Sequence, residues 1–314
     1  MGLKLSYSAN NKYKQSPMAW FLHYTLRLRE ERMGSALAFG SAMDKALNTL
    51  LENKRDSKNA SASNTFIETF EFIEYNGEKL DLKTSEKIKW LKSDLDTDVL
   101  IDEDQTLLDK AYKAEWVCMR RKGLLMIAAY EIQVMPHIKE VVSIQDYVSI
   151  PNEEGDEVIG YIDFVAKFFV DESVPGAPLH LTKYNDKIIT FDNKTSSMTY
   201  KADSVQKSDQ LGTYFEWQGN KSDFAGYIVI PKKIRKQKLP LIPIDIIIDE
   251  VAPEVREATF QSYSDTINGI KTGEFQCYGD KCRKSMFGCC YATYCASNGK
   301  DTTGLVQVPD SIKK

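Results

Sequence analysis

Three charged residues, Asp163, Asp192 and Lys194, stand where they could act together on one substrate. Side chains alternate along a strand, so in Ile188-Ile-Thr-Phe-Asp-Asn-Lys-Thr195 the Asp192 carboxylate and Lys194 ammonium leave the same face. Asp163 closes Gly160-Tyr-Ile-Asp163 inside the apolar run from Val158 to Val170, where an unpaired carboxylate is costly to bury. If the two runs pair as strands, Asp163 joins Asp192. Two carboxylates then hold Mg²⁺ or Mn²⁺ through oxygen and leave positions open for water and a phosphate, the outline of a metal-dependent phosphodiesterase site. Gln210 and Tyr214 follow on an expected helix, at i and i+4, and share a face that reaches the same end. Each piece alone has a plainer reading. Asp-x-Lys is commonly a solvated pair at a strand end, Asp163 a salt bridge, and Tyr214 simple packing.

The elements that must position these groups are legible from periodicity. Period-two runs near 141–150, 158–170, 187–194, 224–231 and 243–250 predict strands, with a helix near 203–218 among them, and so a mixed sheet. Helical spacing covers Leu37 to Leu51, about Leu107 to Val134 (stopped by Pro136), and Val251 to Thr272. Leu3 to Ser8 reads as the entry to a first helix capped by Ser8 or Asn10, and Pro17 fits the first turn of the next. Arg55 to Asn64 is a polar loop.

At 314 residues with 42% hydrophobic content the chain can bury a large core or two smaller ones. No apolar run reaches membrane-span length and no signal-like segment opens the chain, so a cytoplasmic protein is expected, in the host cytoplasm if viral. A net charge of −4 argues against coating nucleic acid by bulk electrostatics. Local clusters, Arg120-Arg-Lys122 and Lys232-Lys-Ile-Arg-Lys236, could still track phosphates or be solvated faces. Gly269-Ile-Lys-Thr272 lacks the upstream glycine of a phosphate-binding loop, so any helicase would be a separate partner.

With Leu5-Ser-Tyr-Ser8, Ser16-Pro17-Met-Ala-Trp-Phe and Ala38-Phe-Gly40-Ser-Ala-Met-Asp44 added, the order of motifs resembles the RecB-like branch of the PD-(D/E)XK nuclease superfamily, which includes phage exonucleases and CRISPR-adaptation nucleases. The resemblance covers most of the chain. It implies an α/β (α+β) fold with a central mixed β-sheet flanked by helices, a restriction-endonuclease-like core. The nuclease domain would span 1–272 with a helical insertion at about 52–138, followed by a cysteine-rich segment, 273–298, and a mobile tail, 299–314. It further implies that Asp163 and Asp192 ligate the metal, that the Asn193 carbonyl adds a third oxygen, and that Lys194 serves the attacking water and the phosphate charge. Gln210 and Tyr214 would sit beside the catalytic strand and the nucleic acid. Asp44 stands where many members carry His, and its oxygens suit Mg²⁺ or Mn²⁺. The implied function is a DNA nuclease, a phage-type exonuclease in recombination, replication or repair, hydrolysing phosphodiesters with metal-activated water. DNA and a separate helicase or recombination protein would be its partners, with no membrane. The alternative is a catalytically inactive nuclease fold that binds nucleic acid or serves assembly; RNA as substrate is a third reading.

Five of six cysteines crowd one segment: Cys277, Cys282, Cys289, Cys290 and Cys295. An iron-sulfur cluster is the leading expectation, zinc is less favoured because no Cys-x-x-Cys occurs, and ordinary thiols remain open. Family members with a cluster usually supply a Cys before a Pro near the N-terminus; here that position is Ser16. Cys118 is expected in the core, and His23, His137 and His180 form no constellation.

Overall fold

The computed structural model describes residues 2–174, 176–217, 221–233, 242–277 and 289–309. Strand β1 (Lys4–Ser6) opens the chain, and Ser6 caps helix α1 (Tyr7–Gln15), its hydroxyl accepting from the Ala9 N–H at 3.2 Å. The expected caps, Ser8 and Asn10, lie inside the helix instead. Backbone pairing of Lys4 to Ser6 with residues 157–159 draws that stretch into the sheet and moves the cap upstream. Ser16 caps α2 (Pro17–Trp20), with Pro17 in the first turn.

Short strands β2 (Leu28–Glu30) and β3 (Met33–Gly34) lead to the long helix α3 (Ser35–Asp56), and α4 (Ala62–Thr69) follows. Then come a hairpin, β4 (Phe72–Tyr75) and β5 (Glu78–Asp81), a short β6 (Ile88–Lys89), α5 (Asp102–Asp109) and α6 (Ala114–Gln133). The one helix expected from Leu107 to Val134 is therefore two, broken where Ala111 takes a φ of 57°. The stretch 52–138, expected as a helical insertion, also contains strands. Its helix α6 is central, because Trp116, Met126 and Tyr130 are buried with Phe39 and Phe66 of α3 and α4. Arg120 and Arg121 face Asp104 at 3.9 Å each, and buried Lys122 pairs with Asp96 at 3.2 Å. That basic cluster ties α5 and its approach to α6.

The remaining elements are β7 (Ile138–Pro151), β8 (Glu157–Phe168), β9 (Ile188–Ser196), α7 (Asp209–Phe215), β10 (Phe224–Pro231), β11 (Asp245–Asp249), α8 (Pro253–Thr272), α9 (Ala292–Ala296) and β12 (Leu305–Gln307). A mixed six-stranded sheet runs β1-β8-β9-β10-β11, with β7 antiparallel along β8. Alternating apolar residues bury both sheet faces: α3, α4 and α6 cover one, around Phe164, Phe168 and Phe191, and α7 leads the other, around Leu211, Tyr214 and Tyr227. The chain's end closes on its beginning. Phe275 stacks on Trp20 with centroids 6.0 Å apart, the Tyr291 hydroxyl donates to the Leu28 carbonyl at 2.8 Å, and β12 pairs with β2. Part of the expected mobile tail is thus an ordered strand. Among the described residues no helix is long and apolar enough to cross a membrane.

Candidate nuclease site

β7 occupies one edge of β8 for its whole length, and two strands share the other. β1 pairs with residues 157–159 and β9 with residues 164–167, which leaves Gly160 to Asp163 without a ladder partner on that edge. After Phe191, β9 departs from β8 but stays paired to β10 as far as Ser196. Asp192, Asn193 and Lys194 therefore line a fork whose other prong ends in Asp163. Side chains fill the missing ladder bonds: the Asn193 N–H donates to Asp163 Oδ2 at 2.9 Å, and the Tyr214 hydroxyl donates to the Tyr161 carbonyl at 2.8 Å. In an extended residue N–H and C=O leave the same edge, so the Asn193 carbonyl also faces the fork.

The sheet turns sharply here. Ile162 packs with the α7 side, while Phe164, two residues on, packs with the α3 side. Across from Asp163 the partner strand has Gln145 at a φ of 56°, and the ladder skips this pair. A left-handed glutamine is a strained backbone of the kind found beside functional groups. Its side chain reaches α3, where Gln145 Nε2 donates to Asp44 Oδ1 at 3.3 Å.

Helix α7 brings the polar partners. Buried Ser208 caps it, accepting from the Leu211 N–H at 3.0 Å, and its hydroxyl bonds the Tyr227 hydroxyl of β10 at 2.5 Å. That anchor sets Gln210 over β9. Gln210 Oε1 accepts from Lys194 Nζ at 2.9 Å, while its Nε2 donates to Asp192 Oδ1 at 3.1 Å and to the Tyr214 hydroxyl at 2.9 Å. Lys194 Nζ forms an ion pair with Asp192 Oδ2 at 2.5 Å, as the same-face spacing requires. The carboxylate of this pair is buried, Asp192 being only 2% exposed.

Burial, reinforced by Asp192, pushes the Asp163 carboxyl well above the ordinary carboxylate range. Burial also raises Asp192, with Lys194 opposing it, and raises Asp44, with Asp192 adding to the effect. Burial alone would lower Lys194, but Asp192 and Asp163 together lift it above its usual value. Three acids that resist ionising around one cation are short of positive charge. The donors are all oxygens and the Asn193 carbonyl faces them, so the residues fit a hard divalent cation.

The five expected catalytic residues Asp163, Asp192, Lys194, Gln210 and Tyr214 come together, and Asn193 lies within the fork. Asp44 is within electrostatic reach but stands apart: among the described residues no three of His, Cys, Asp and Glu gather closely enough to hold a metal ion. The same holds for the described cysteines. Cys277 and Cys290 are exposed, Cys289 and Cys295 half-buried, and Cys282 lies outside the described residues. Cys118 is buried in α6, and His137 is a satisfied core residue whose Nδ1 accepts from the Asp171 N–H at 3.1 Å. In the second basic cluster, half-buried Lys232 sits over the Phe39 ring at 5.6 Å, and residues 234–236 lie outside the described residues.

Two site residues escaped the sequence reading. Gln145 carries no local signal, since its role comes from a strained strand crossing. Tyr130 reads as one more apolar position of α6, yet its hydroxyl donates to Asn193 Oδ1 at 3.2 Å and fixes that side chain from beneath.

The chain belongs to the PD-(D/E)XK nuclease superfamily, whose family model matches residues 4–296. No curated protein matches it.

Proposed function

We propose that the chain is a Mg²⁺- or Mn²⁺-dependent deoxyribonuclease of the RecB-like branch, a phage-type exonuclease working in recombination, replication or repair beside a separate helicase or recombination protein. One observation carries the reading: buried Asp192 is held between Lys194 and Gln210 at the mouth of a strand fork that also presents Asp163. Asp163, Asp192 and the Asn193 carbonyl would hold the cation, with Asp44 adding negative charge nearby. Once bound, the cation supplies Lewis acidity to the phosphate and to the attacking water.

The protein's own groups do the rest. Gln210 Oε1 accepts one Lys194 N–H and Asp192 draws the ammonium inward, so Lys194 is oriented as a charged donor for a phosphate oxygen as negative charge develops. Its raised pKa keeps that charge on Nζ at neutral pH, so the lysine acts as a fixed cation. Tyr214 holds both Gln210 and the Tyr161 carbonyl, which fixes the prong carrying Asp163.

The test is incubation with linear, end-blocked and circular DNA, single- and double-stranded, and with RNA, in Mg²⁺, Mn²⁺ or EDTA. Degradation of linear DNA from its ends, dependent on the cation and sparing circles, is expected. Binding without cleavage under all conditions would leave the inactive, nucleic-acid-binding reading in its place.

A further inference from the structure

A cavity of about 610 Å³ opens between α1, β2, the β4–β5 hairpin and the C-terminal segment. Lys12, Arg27 and Arg29 line it with His23 beside them, against the carboxylates of Glu30 and Glu74. Arg29 Nη1 is buried without a hydrogen-bond partner among the described residues. At both Lys12 and Arg29, burial is the largest influence and lowers the pKa; Arg29 repels Lys12, and Arg27 repels Arg29. Cations crowded in a pocket are costly until an anion joins them.

The cavity and the nuclease site lie along one helix face. Leu37 lines the cavity and is 60% exposed, and Asp44 follows seven residues later, two turns along α3 and about 10 Å away. Between them on that face is Gly40, where a side chain would meet only open space. A path therefore runs along α3 from the cations to the fork.

We propose that this cavity binds a phosphate of the substrate strand away from the bond that is cut. The ligand's identity rests on the nuclease reading; the binding test below does not require turnover. Fluorescent single-stranded oligonucleotides would be titrated in EDTA and followed by anisotropy over a range of salt, with 5′-phosphate, 3′-phosphate or hydroxyl ends. Lys12→Gln and Arg29→Gln should each weaken binding about tenfold and flatten the salt dependence by roughly 0.7 per lost contact, whereas Lys12→Arg should keep both. Loss seen with every end chemistry would assign a backbone phosphate, and loss confined to one phosphorylated end a terminal phosphate. Should Arg29→Gln fail to fold, Lys12→Gln carries the test. Wild-type affinity and salt slope in Lys12→Gln, or no oligonucleotide binding by the wild type, overturns the proposal. Wild-type protein that binds in EDTA yet cleaves nothing with Mg²⁺ or Mn²⁺ refutes the enzyme and leaves the phosphate site standing.

Discussion

The Tyr214 hydroxyl donates to the Tyr161 carbonyl at 2.8 Å, so a side chain from α7 completes the edge of β8 where no strand does. Without it, a backbone acceptor beside Asp163 would face the fork unpaired. Tyr214→Phe should therefore cost about 1–3 kcal/mol in denaturant unfolding and slow cleavage about tenfold by freeing Gln210. Wild-type stability together with wild-type rate would deny Tyr214 this role.

Asp192→Ala and Lys194→Ala should each reduce cleavage about a hundredfold or more while the circular dichroism spectrum stays native. The two losses should not add in the double variant, because Gln210 binds both side chains and they act as one unit. Full activity in either single variant would move the chemistry elsewhere.

Metal-free protein should lose stability as pH rises. Burial and then Asp192 push the Asp163 carboxyl up to about 8. A folded pKa raised above the unfolded value gives a contribution that is full below about pH 4 and lost as pH climbs through the folded value. Asp192 and Asp44 shift the same way, while His137, lowered mainly by burial, opposes them around its own pKa. In EDTA, Tm should fall between about pH 5 and 8, and Asp163→Asn should flatten that slope. Mn²⁺ should raise Tm most at the alkaline end; a slope identical in Asp163→Asn would assign the titration to other groups.

Asp44→Ala should raise the Mg²⁺ or Mn²⁺ concentration needed for half-maximal cleavage several-fold, and Gln145→Ala should do so more weakly through the same carboxylate. An unchanged metal titration in both removes α3 from the site.

Gly123→Ala tests the core without touching the fork. The added methyl would overlap the Phe66 ring, so a loss of about 1–3 kcal/mol is expected with unaltered cleavage per folded molecule.

What the sequence revealed and what it hid divide along physical lines. Asp192 and Lys194 were readable because strand alternation is local, and Gln210 and Tyr214 because helical spacing is local. The five main strands lie close to their expected spans for the same reason. Strand β1 was hidden, since three residues have no periodicity and their partner lies far along the chain. Gln145 was hidden because its conformation is imposed by a crossing, and α6 looked peripheral because nothing in its own sequence says which helices and sheet it will meet. The partners of the basic run at Arg120 were hidden for a like reason: Asp104 and Asp96 become its neighbours only through folding.

The parallel pairing of Lys4 to Ser6 with Glu157 to Ile159 bears on how the molecule is made. Such a contact spans half the chain, and loop closure over that length is slow. As the polypeptide leaves the ribosome, β1 waits for β8, and the fork waits longer, for β9 and α7. The helices of the first half can collapse early, but the acids and the lysine meet only when the later strands arrive. A growing chain therefore carries no assembled fork until β9 and α7 have emerged, and β10, which pairs along Asp192 to Lys194, arrives later still.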